Sequence, residues 1–127
     1  MKQLKLYLPI YEVTINIVIA EDIKESMKDC KMTFEDDNFR AIAITTSTKE
    51  YYMFLPGNKD FTDVSINDVV HESKHIVNMI FQAHSIELDT GNDEYECYFL
   101  AALVTKIHSF IIKLKNKDKT IKYEDYL

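Results

Sequence analysis

Hydrophobic and polar residues follow two different periods along this chain. In the first half the period is two. Val13, Ile15, Ile17 and Ile19 alternate with Thr14, Asn16 and Val18, which predicts a strand. Leu4 to Pro9 predicts a strand before it, and Pro9 separates the two or leaves the first at a sheet edge. Ala20 to Asp29 reads as a short helix, with acidic residues early and lysines later. A polar turn follows at Glu35-Asp36-Asp37-Asn38, then strands at Arg40 to Thr46 and Tyr51 to Leu55, the latter ended by Pro56-Gly57-Asn58. From Ser65 the period becomes helical. Val69, Ile76, Val77, Ile80 and Phe81 fall on one side, with His71, His75, Asn78 and Gln82 opposite. Ser65 with Asp68 three positions on is a variant of the capping box, and the pattern runs to about His84. A second helical pattern opens at Asn92, after the break at Gly91, and runs to about Lys115. The expected fold is α+β: one domain over 1–127, a small antiparallel or mixed sheet with two long C-terminal helices packed on one face.

The first long helix carries His71-Glu72-Ser73-Lys74-His75, which reads H-E-x-x-H. Histidines four apart stack one turn above each other, so both imidazoles can reach one zinc ion at roughly 2.0–2.1 Å. Glu72 projects about 100° round the helix from His71, where a carboxylate can take a proton from water as general base. Two histidines stacked on the polar side of an otherwise apolar helix are not ordinary core residues. The competing reading is an exposed turn with solvated histidines.

A catalytic zinc takes a third protein ligand and keeps one position open. Glu94, Tyr98, Ala101 and Thr105 share a face of the second long helix, and Ala101 admits a close neighbour. If the two helices form an antiparallel hairpin, Glu94 looks across at His71 and His75, while Glu96 points about 160° away. Alternatively, Asp93 and Glu94 are simply favourable acidic residues at a helix N-terminus. Cys97, three residues after Glu94, is a rival ligand. His84 projects to the apolar side, which predicts a packed or capping role. His108 lies roughly 21 Å along the helix from Glu94 and reads as a core or interface histidine.

Together, His71-Glu72-Ser73-Lys74-His75 and the downstream Asp93-Glu94-Tyr95-Glu96-Cys97-Tyr98-Phe99-Leu100 resemble the gluzincin metallopeptidases. More narrowly, they resemble the small zinc metallopeptidases encoded by phages and prophages. The resemblance covers about half the chain with specific motifs. It implies that His71, His75 and Glu94 hold zinc, with Glu72 as general base. Cys97 stands at the small position of the second motif. Tyr98 stands where many members have an acidic residue, and is the preferred donor to the developing oxyanion over Tyr95. The resemblance also implies a peptide or protein substrate, an edge strand at Tyr51 to Leu55 beside the cleft, and action in the host cytoplasm. The rival function is a non-catalytic binding protein on the same fold.

Composition narrows the partners. The net charge of −6 speaks against general nucleic-acid binding. The lysines at 113, 115, 117, 119 and 122 are interrupted by Asp118 and followed by Glu124 and Asp125, which reads as a solvated helix end. Two widely spaced cysteines, Cys30 and Cys97, suggest a reduced intracellular setting. No leader pattern is apparent, and no stretch approaches the roughly 20 apolar residues of a membrane span. Phe99 to Leu114 contains Thr105, Lys106, His108, Ser109 and Lys113, and reads as a buried amphipathic helix.

Overall fold

The computed structural model describes residues 2–32, 39–47, 49–116 and 122–127. The expected turn at Glu35–Asn38 lies outside them. The elements are β1 (Lys2–Leu8), β2 (Val13–Ala20), α1 (Ile23–Asp29), β3 (Ile42–Ser47), β4 (Glu50–Pro56), α2 (Ile66–Ala83), α3 (Glu94–Lys115) and β5 (Lys122–Tyr126). They form a mixed five-stranded sheet in the order β3-β4-β2-β1-β5. β1 pairs antiparallel with β2, and β3 with β4; β2–β4 and β1–β5 are parallel.

The period-two pattern explains the layers. Ile15, Ile17 and Ile19 of β2 join Leu4, Leu6, Tyr51, Met53 and Leu55 on the face that receives α2 and α3. The intervening Val18 and Phe54 point the other way and pack with Met27 of α1. The sheet is therefore covered on both faces, not one as expected. Two residues on β2 and β4 that read as mere alternation partners recruit α1 to the second face. On that same face Asn16 is buried and satisfied: it donates to Glu50 Oε2 at 2.8 Å and to the Tyr51 carbonyl at 3.2 Å, and accepts from Gln3. A buried polar group held this way is tolerated in a central strand.

The helix ends follow local chemistry. Asp22 caps α1 by accepting from the Glu25 N–H at 3.1 Å. Ser65 occupies the N-cap of α2, but its side chain makes no capping bond. The expected capping box is absent, and Asp68 instead accepts from Arg40 Nε through Oδ2 at 2.9 Å. His84 ends α2, its Nδ1 on the Ile80 carbonyl at 2.8 Å and its ring beside Tyr11. Gly57 follows β4 where space is short. A Cβ there would lie 2.7 Å from Ile19 Cγ2 and 3.0 Å from Val64 Cγ2.

Candidate metal centre

α2 buries Val69, Ser73, Ile76, Val77, Ile80 and Phe81 against the sheet and α3. Helical geometry then turns positions 71 and 75 outward. The two imidazoles stack one turn apart, with Nε2 atoms 3.2 Å apart and ring planes at 73°. Here one ring's Nε2–H donates to the other's lone pair. Two nitrogens bound at 2.0–2.1 Å to a tetrahedral zinc would lie about 3.3–3.4 Å apart. The observed separation is close to that spacing, and binding one ion would replace the shared proton and turn both lone pairs toward the metal.

Glu72 comes next in sequence but lies elsewhere in space. Its side chain is 8% exposed, and Oε1 sits 3.9 Å from His71 Nε2. It lies against β3, where the Ala43 backbone N–H donates to it. Burial pushes its carboxyl up from the ordinary range. The positive charge that His71 and His75 can carry opposes that shift, and Asp68 adds to it. Glu72 is thus a buried carboxylate held by a backbone N–H and lying near the His71 ring.

The second helix does not follow the expected register. Its inward row is Phe99, Leu103, Ile107, Phe110 and Leu114. Burying a large apolar side chain yields about 1.5–3 kcal/mol, so this row outweighs a face built around Ala101 and Thr105. Two contacts set the rotation at the helix start. Lys74 of α2 pairs with Glu96, and the Tyr95 ring stacks on Phe81 at 5.6 Å with 4° between planes. Tyr95 also shares a 2.6 Å hydroxyl hydrogen bond with Tyr11. Burial and that bond push the Tyr11 phenol well up.

The consequence is a correction. Glu94, Tyr98, Ala101 and Thr105 face solvent, and Tyr98 is 72% exposed. Glu94 is not brought to His71 and His75, and Glu96 is the α3 carboxylate that faces α2. Among the described residues, no group of three or more His, Cys, Asp and Glu side chains is placed to hold a metal. Tyr98 and Cys97 are both exposed. His108 is exposed rather than packed in the core. Glu96 was detectable in sequence: it precedes Phe99 by three, so an inward Phe99 row carries it inward. Ala43 left no sequence signal.

The sheet edge beside α2 also differs. β4, expected at the edge, lies between β3 and β2, and β3 is the edge strand. A groove of about 400 Å³ runs between β3 and the last turns of α2, lined by Thr45, Thr46, Ser47, Met79 and Gln82. No protein-family model, no curated protein and no solved structure matches the chain.

Proposed function

We propose that the chain is a small zinc-dependent metallopeptidase in which His71 and His75 hold the ion and Glu72 is the general base. The observation that carries this reading is the 3.2 Å approach of the two Nε2 atoms with the buried Glu72 carboxylate beside them. Zinc, when bound, polarises a carbonyl and lowers the pKa of water to about 7. Glu72 takes a proton from the attacking water. Oxygen bonds to the scissile carbon, the C–N bond breaks, and Glu72 returns the proton to the departing amine. The edge of β3 that pairs with no other strand among the described residues offers backbone groups to an extended polypeptide substrate. A phage or prophage origin and action in the host cytoplasm rest on the motif resemblance alone.

A second reading is favoured by one specific observation. No third ligand stands with the histidine pair among the described residues, and Lys74 engages the carboxylate that α3 turns toward α2. A non-catalytic binding protein with a two-histidine site fits that arrangement.

Zinc content of protein purified without a metal-binding tag separates the two, followed by hydrolysis of unfolded polypeptides. About one zinc per chain is expected, lost in His75→Ala. Glu72→Gln should keep the metal and lose hydrolysis by about 10²–10⁴-fold. No zinc at saturating concentration ends the metal reading. Zinc without hydrolysis selects the binding protein.

A further inference from the structure

The core uses one side of α3 and leaves the other exposed. By length and composition alone the helix is long and apolar enough to span a membrane. Its most apolar stretch has a mean hydropathy of 1.5, and only 33% of that stretch is buried. The outward side carries Glu94, Tyr98, Ala101, Thr105, Ser109, Ile112 and Lys115, all exposed, with Tyr98 at 72% and Ile112 at 43%. Tyr98 and Ile112 are the two large apolar residues of this face, one toward each end, with small residues between.

The order of residues on this face says what covers it. Read outward from Thr105, the row is self-complementary in an antiparallel sense. Tyr98 and Ile112 lie equally far on either side, and so do Ala101 and Ser109. Glu94 corresponds to Asn116, beside Lys115. If a second α3 lies antiparallel on the first, with the twofold axis at Thr105, Tyr98 of each copy meets Ile112 of the other. The helices then cross over Ala101, Thr105 and Ser109, which are short enough for close approach. The N-cap Asp93 and first-turn Glu94 then lie against Lys115 in the last turn of the other copy. Inserting the whole helix into a bilayer would pull Phe99, Leu103, Ile107 and Phe110 out of the core.

We propose that the outward face of α3 is a homodimer interface, formed by two antiparallel copies related by a twofold axis through Thr105. The face excludes His71, Glu72 and His75, so this inference stands apart from the metal reading. A helix of 22 residues is about 33 Å long. One such pair is a small interface, so the dimer should exchange with monomer in the micromolar range.

Sedimentation of the full chain from low to high micromolar concentration tests this. Twice the 14.9 kDa chain mass is expected at the upper end. Thr105→Arg, at an exposed position, should keep the circular dichroism spectrum and raise Kd at least about tenfold. Geometry is read by cross-linking in a Cys30→Ser/Cys97→Ser background. Thr105→Cys should give an intermolecular disulfide on mild oxidation. Tyr98→Cys alone should not, because its own copy lies about 21 Å away along the helix. Tyr98→Cys combined with Ile112→Cys should. A monomer at every concentration overturns the proposal. So does a dimer insensitive to Thr105→Arg, or a monomer that instead partitions onto phosphatidylcholine vesicles.

Discussion

Lys74 and Glu96 form an ion pair that joins the middle of α2 to the first turn of α3. Lys74 lies inside the H-E-x-x-H segment, immediately before His75. The same pair that fixes the rotation of α3 therefore sets which of its carboxylates faces the histidines. With Glu96 turned in, Glu94 two residues earlier is turned out.

This register predicts how zinc responds to substitution. Glu94→Gln should leave zinc affinity within about twofold, whereas His75→Ala should remove most of it. Equilibrium dialysis checks both. A loss at Glu94 beyond the roughly 10–100-fold that outer-shell changes produce would make Glu94 a ligand, reached by rotation of α3. Glu96→Gln should cost at most about 1 kcal/mol of stability, because Lys74 is 40% exposed.

Glu72 should cost stability. Its folded carboxyl is raised, so the charged form is penalised above the unfolded value and the penalty is relieved as pH falls through the folded value. In protein treated with chelator at neutral pH, Glu72→Gln keeps the acceptor for the Ala43 N–H and removes the charge. It should raise the denaturation midpoint, by roughly 0.5–2 kcal/mol. A lower midpoint would mean that the charge itself stabilises the fold.

Gly57→Ala should destabilise the chain. The added carbon meets Ile19, fully buried in the central strand, at 2.7 Å. Overpacking of this kind costs about 1–3 kcal/mol. Urea denaturation reads it, and an unchanged midpoint would show that Ile19 and Val64 yield freely.

Asp125 ties β5 to α3 through Lys106, whose ammonium donates to Oδ2 and holds the carboxyl below its ordinary range. A lowered folded pKa stabilises above the unfolded value and is lost as pH falls through the folded one, here below about pH 4. The pair is exposed, so its worth is well under 1 kcal/mol. Hydrogen exchange at β5 amides should quicken in Asp125→Asn at neutral pH, and acid should then add little further difference. Equal exchange in the two proteins would leave the tie without effect.

The period-two runs disclosed β1, β2 and β4, and the helical rows disclosed α2 and α3 nearly to their ends. Sheet order was not legible. Strand placement depends on pairing between distant segments, and β4 carries no local mark of an internal position. β5 was also missed, because Lys122-Tyr123-Glu124-Asp125-Tyr126 has no apolar run and reads as the solvated end of a helix. Such charge is how edge strands are protected. At the centre, His71, Glu72 and His75 are readable because one helix sets their relation. Glu94 is placed inward only by a register that turns the small Ala101 toward α2. Phe99, Leu103, Ile107, Phe110 and Leu114, with far more apolar surface, set it instead.

β1 borders β2 on one side and β5 on the other, with Gln3 beside Lys122. During synthesis β1 meets β2 at once, but its other border meets β5 only when residues 122–126 have emerged. At roughly 5–20 residues per second that delay is on the order of 10 s. Throughout it, the nascent chain presents Leu4 and Leu6 on a strand with open backbone groups. The fold can therefore be completed only after translation of its last strand, and the burden of chaperoning falls on its first.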